Sequence, residues 1–186
     1  MTSVQKGGLS LKIINVLAYL LFLGSNVHTA FPPQSIYGNI KQTYFTPSVW
    51  AFLVWPIIHI LLFGTVIYQF ASARGKVAVV DGVSWGFPLM ATLNAIFLEV
   101  WAHHYYTVAF VISLFLIYIG LHIEWTIEKE YPPESMSDEV LVHLPFCVWN
   151  AWILVLCFLT AFETFGVDAT EHIDGFWTDC LVFLIL

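Results

Sequence analysis

Apolar positions along this chain fall into five long runs, at roughly 13–31, 48–72, 77–101, 106–126 and 139–165, and the charges gather between them. Each run has about 20 residues, enough to cross a hydrocarbon core about 30 Å thick at about 1.5 Å per residue. In lipid every backbone polar group must bond internally, so the runs predict helices. The fold class that follows is all-α, a polytopic transmembrane bundle of five spanning helices. A shorter apolar run, GFWTDCLVFLIL at 175–186, is too short to span and predicts a partial or interfacial sixth helix. The chain thus divides into a bundle at 1–165 and a tail at 166–186, made of an acidic loop and that sixth segment.

Composition sharpens this picture. The chain is 59% hydrophobic and only 10% charged, with a mean hydropathy of +0.81, where a soluble domain carries about 25% charged residues. A net charge of −7 without a basic patch argues against a nucleic-acid partner. The expected partners are membrane lipid and a hydrophobic small molecule, with a homodimer left open. Cys147, Cys157 and Cys180 all lie in apolar runs and read as small core residues.

Basic residues orient the bundle. With the N-terminus in the cytoplasm, Lys6, Lys12, Arg74, Lys76 and Lys129 are cytoplasmic and only Lys41 lies outside. Lys6 and Lys12 before an apolar run also suit a signal peptide, but a cut after Ala30 would put His28 where a small residue belongs. The run 13–31 is therefore read as a retained first helix of a multi-pass membrane protein. The 32–47 loop, rich in Pro and aromatic residues, is long enough to lie as a lid over the bundle.

Tryptophan collects at membrane interfaces, and Trp50, Trp85, Trp101, Trp125 and Trp177 stand near helix ends. Trp55 stands about 10 Å inside its helix, and Trp149 and Trp152 sit near mid-helix, too deep for that belt. Trp55 and His59 share a face at i, i+4, with Phe52 extending it. Asn94, Phe97 and Trp101 make a second stripe, and Pro145, Trp149 and Trp152 a third. Such stripes are usually packing. Here they carry an imidazole, a carboxamide and indole N–H groups, and buried polar atoms need partners. Flat walls with a few directed polar groups suit a planar apolar ligand. At the outer end, Glu99 and His103 are four apart with His104 adjacent. A metal is a weak alternative there, since no HxxxH or CxxC spacing occurs.

These residues resemble a known pattern. Phe45-Thr46-Pro47 followed by Trp50, Phe52 and Trp55 is similar to the FTP-x-x-[aromatic]-x-F-x-x-W-x-x-x-Y signature of the tryptophan-rich sensory proteins, of the TspO or translocator protein superfamily. Tyr68-Gln69 continues the likeness, Asn94 and Trp101 fit its third-helix pattern, and Leu144-Pro145-Phe146 with Trp152 fit its fifth. His59, Phe97 and Thr160 depart from it, which keeps a wall but alters its hydrogen bonding. The resemblance implies five helices around a ligand cavity under the first loop, with no required cofactor. Its ligand would be a tetrapyrrole, a sterol or an aromatic compound. The ligand-binding candidates are Trp50, Phe52, Trp55, His59, Asn94, Phe97, Trp101, Trp149 and Trp152.

Two other function classes compete. Asn94 to Glu99 loosely resembles a run in integral-membrane terpene cyclases, where Glu99 would be the general acid. A purely structural subunit is the third class. The orientation makes the first prediction. In a chain lacking its native cysteines, single cysteines at Gln34 and Ala73 should label from opposite sides of a sealed vesicle. Labelling from one side would overturn the five-span arrangement.

Overall fold

A computed structural model describes residues 3–31 and 41–166, together with Trp177, Cys180, Phe183 and Leu184. Five main helices make the bundle: α1 (Ser3–Ala30), α2 (Val54–Ala71), α3 (Gly86–Ala102), α4 (Tyr106–Glu130) and α5 (Leu144–Phe165). Four stretches are apolar and long enough to span by themselves, Gly8–Ala30, Val49–Ala71, Tyr106–Glu130 and Met136–Phe165. They bury only part of their surface inside the protein, and the outward faces carry large apolar side chains such as Ile60, Phe115 and Tyr118. That inversion is what a lipid solvent permits.

The third expected span requires correction. The sequence pattern gave one run over 77–101, but the chain here is a bent pair, Ala73–Val83 followed by Gly86–Ala102, with 64° between the parts. The first part closes as a π-helix over Val77–Val83. Ser84 then takes a left-handed backbone conformation at φ 51°. The cause lies four residues on. Pro88 has no N–H to give the Ser84 carbonyl, so a helix can start just before it but cannot run through unbroken. Hydropathy saw continuous apolar character and could not see the turn. The fifth span also opens irregularly, with a π-helix over Glu139–His143 before α5 begins at Leu144-Pro145.

The helices close a ring in the order α2, α1, α3, α4, α5 and back to α2. At one end Lys12 donates to the Gln69 carbonyl and Asn15 Nδ2 donates to Gln69 Oε1 at 2.9 Å, joining α1 to α2. At that same end Tyr68 donates to Asp138 at 2.8 Å, and Ser135 and Asp138 cap each other. Arg74 pairs with Glu134 at 2.9 Å, tying the second connection to the fourth. At the other end Lys41 Nζ donates to the carbonyls of Glu163 and Gly166 at 3.2 and 2.9 Å. Phe45 stacks on Phe162 with centroids 5.5 Å apart. Residues 41–47 of the expected lid therefore rest on the end of α5. The rest of that loop, and most of the 166–186 tail, lie outside the described residues.

The α4–α5 contact is the tightest point in the ring. A Cβ on Gly120 would lie 2.3 Å from Asn150 Oδ1, and Asn150 Nδ2 donates to Glu124 Oε2 at 3.0 Å. Gly120→Ala should push Asn150 off that bond and destabilise the bundle by about 1–3 kcal/mol. Gly24→Ala is the control, because a Cβ there meets nothing within 4 Å. It should leave thermal unfolding in detergent unchanged or slightly raised. Equal melting of the two variants would show that the close approach holds nothing.

Candidate functional site

The α2 stripe is built by its entry turn. Val49–Leu53 forms a 3₁₀ turn that carries Phe52 inward at 5% exposure, and α2 then begins with Pro56 in its first turn, where no N–H is needed. Trp55 and His59, one turn apart, are 4% and 8% exposed. Across the ring α5 presents Trp149 and Trp152, 0% and 8% exposed, and α3 presents Asn94, Phe97 and Trp101, none above 1%.

These side chains form one aromatic column. Phe97 and Trp101 touch at 5.7 Å between centroids, Trp101 and Phe52 at 6.2 Å, and Phe52 meets Trp152 edge-on at 5.7 Å. Trp152 then meets Trp55 edge-on at 6.2 Å, and Trp55 stacks toward His59 at 6.2 Å. Phe22 of α1 closes the column, 4.7 Å from His59 and stacked on Trp149 at 4.9 Å. Edge-on and offset contacts suit ring quadrupoles and hold each ring plane in place.

The polar atoms of the column stand apart from ordinary packing. Nε1 of Trp55, Trp149 and Trp152, both ring nitrogens of His59 and both amide atoms of Asn94 are buried without a hydrogen-bond partner among the described residues. Buried polar groups are normally paired, and leaving them unpaired costs free energy. The three indoles can only donate, whereas His59 and Asn94 can donate and accept. A hollow of about 450 Å³ opens between α1 and α2 at the Trp55 and His59 end of the column, lined by Leu23, Asn26, Phe52, Trp55, Pro56 and His59 among others; Asn94, Trp149 and Trp152 do not line it. It is apolar but for Asn26, Trp55 and His59.

Two expected members sit differently. Trp50 is 78% exposed and faces out of the bundle, apart from the column. Trp101 stands near a helix end as its position suggested, yet it is 1% exposed, and its Nε1 donates to Glu163 Oε2 at 2.7 Å. A belt position does not account for that bond. The polar side chains at the outer end turn to separate partners. Glu99 Oε1 lies 3.0 Å from His28 Nδ1, His103 Nδ1 donates to the Glu99 carbonyl at 2.8 Å, and His104 Nδ1 bonds the Tyr106 hydroxyl at 2.8 Å. Among the described residues no three His, Cys, Asp or Glu side chains converge.

Sequence reasoning missed the contribution of α1. Tyr19, Phe22 and Asn26 fall at i, i+3, i+7, the spacing that marked Asn94, Phe97 and Trp101 on α3. The signal was present, but attention to tryptophan passed over a stripe that has none. Glu163, near the end of the fifth apolar run, was not among the candidates. In the bundle it is 2% exposed and anchors Trp101.

No curated protein matches the chain, and no solved structure does. One family model, described as TSPO-like protein, matches residues 12–185. That span takes in α1 from Lys12 onward, the other four helices and the whole aromatic column, and the chain belongs to the TSPO-like protein family.

Proposed function

We propose that this membrane protein binds a planar hydrophobic ligand in the aromatic column between α1, α2, α3 and α5, as a binding or sensor protein. The observation that carries the reading is the set of unpartnered buried donors, the indole N–H groups of Trp55, Trp149 and Trp152: Trp55 lines the hollow of about 450 Å³, Trp152 meets Trp55, and Trp149 stacks on Phe22. A ligand that stacks on the walls and offers acceptors relieves the cost of those donors. A flat ring system with several acceptor atoms, such as a tetrapyrrole, answers three donors better than a sterol with its single hydroxyl. His59 and Asn94 complete the polar set, Phe52, Phe97 and Trp101 extend the wall, and the ligand itself is the only small molecule the reading requires. Residues 41–47, the described part of the loop expected as a lid, lie against the end of α5 through Lys41 and Phe45.

Binding is tested by titrating the purified chain with protoporphyrin, haem and a sterol while following quenching of tryptophan fluorescence. Trp152→Ala removes a stacking wall and should weaken a planar ligand by about 1–3 kcal/mol. Glu99→Gln should leave that affinity unchanged, because Glu99 turns toward His28 rather than toward the column. If the protein is instead an enzyme with Glu99 as general acid, Glu99→Gln should keep binding and lower turnover by about 100-fold or more. A ligand whose affinity ignores Trp152 but whose conversion needs Glu99 would replace the binding reading.

A further inference from the structure

The hollow between α1 and α2 brings together two polar groups whose hydrogen-bonding roles are fixed by their chemistry. Asn26 of α1 and Trp55 of α2 both line it, and they are 6% and 4% exposed. The Asn26 amide lies 3.1 Å from the Phe22 carbonyl of its own helix. A carbonyl only accepts, so the atom facing it is Nδ2 and the other is Oδ1. Asn26 Oδ1 is buried and has no partner among the described residues. Trp55 Nε1, an indole N–H that can only donate, is buried and unpartnered in the same way. Neither side chain titrates in the physiological range, so one acceptor and one donor stand here whatever the pH.

The two walls face each other at the same level. Helices α1 and α2 run in opposite directions, and the Phe22 ring meets both His59, at 4.7 Å, and Trp55, at 5.6 Å. One turn outward from Phe22 on α1 is Asn26, and one turn outward from His59 on α2 is Trp55. An indole N–H and a carboxamide oxygen would satisfy each other if they touched. Instead they border one hollow of about 450 Å³, each without a bond. Leaving both unpaired costs free energy. A molecule in the hollow recovers both costs only if it donates to one and accepts from the other. His59, the third polar residue on the wall, can serve in either role.

We propose that Asn26 is a specificity-determining residue of the ligand site, and that the ligand carries an N–H donor beside a carbonyl acceptor, on a planar edge of the secondary lactam type. The N–H answers Asn26 Oδ1, the carbonyl answers Trp55 Nε1, and the ring lies among Leu23, Val27 and Leu53. A lactone of the same shape has a ring oxygen where the lactam has its N–H. It sets one acceptor against another at Asn26. This selectivity rests on the binding reading, whose three indoles ask only for acceptors, and adds a donor to what the ligand must carry.

The test compares two flat tricyclic compounds of one shape, phenanthridinone and its lactone analogue, in which oxygen replaces the N–H. Each is measured by equilibrium dialysis against the full chain in detergent, with empty micelles as the blank. The lactam should bind about three- to tenfold more tightly, the span of one neutral hydrogen bond. Asn26→Leu, similar in size, should bring the two compounds to equal affinity without lowering the melting temperature. Trp55→Phe should weaken both by about the same factor, because both keep the carbonyl, and should leave their ratio intact. Equal affinities in the native chain would overturn the proposal, since a water bridging Asn26 to Trp55 would then do what the lactam edge is asked to do. A lactam preference that survives Asn26→Leu would overturn it too, and so would failure of both compounds to bind. If protoporphyrin and haem also leave the tryptophan fluorescence unquenched, the binding reading falls with it; if they quench, that reading stands without the donor requirement.

Discussion

Lipid gives a helix bundle no hydrophobic push, because acyl chains are as apolar as leucine, so the helices here are held by close packing and by hydrogen bonds across their contacts. Among the described residues, three of the five seams of the ring carry such a bond, and a further bond crosses the ring. Asn15 with Gln69 and Tyr19 with the His59 carbonyl join α1 to α2, and Ser25 with the Ala95 carbonyl joins α1 to α3. Trp101 with Glu163 joins α3 to α5, and Asn150 with Glu124 joins α4 to α5. Each such bond contributes on the order of 0.6 kcal/mol on average and less than about 2 at most. What they supply beyond energy is register, since each fixes a particular turn of one helix opposite a particular turn of the next.

Against that background the column of Trp55, His59, Asn94, Trp149 and Trp152 is the exception. Each seam residue makes at least one bond, with Asn15 Oδ1, Asn150 Oδ1 and Glu163 Oε1 left over, whereas the polar side-chain atoms of these five column residues make none among the described residues. A bundle evolved only for packing would have phenylalanine at these depths, as it has at Phe22, Phe87 and Phe146. Indole, imidazole and carboxamide cost more to bury than phenyl unless something bonds them. The two classes of ring, mixed in one column, separate walls from contact points.

Much of this was legible in the sequence, for physical reasons that also mark where legibility ended. The spans could be read because hydrocarbon thickness fixes their length, and the depth of Trp55, Trp149 and Trp152 followed from the rise of a helix. The break at Ser84 was not read, because hydropathy averages over the single proline that causes it. Trp101 was placed correctly in the chain but explained by its level in the membrane, since nothing local shows that Glu163, 62 residues away, faces it. The role of Phe22 was hidden for the opposite reason. Phenylalanine is so common on a lipid face that one inward copy carries no signal until α1 is set beside α2 and α5.

Helix α1 is the element through which two hollows meet. Leu23, Asn26, Val27 and Ala30 face the hollow beside Trp55 and His59, while Leu20, Leu21, Gly24 and His28 face another of about 590 Å³ on the outside of the bundle, between α1 and α3. The two sets interleave along the same three turns, so the helix is a wall one residue thick between them. It is fixed at its far end by Lys12 and Asn15, at its middle by Tyr19, and near its outer end, among the described residues, by Ser25 and His28. Outward of Ser25 the bond of His28 to Glu99 is the remaining side-chain tie to α3, and it lies half-exposed at the surface. The outer two turns of α1 are thus the part of the ring least constrained by buried bonds, and they form one side of both hollows. The two hollows thus share one helix as a wall while sharing no lining residue.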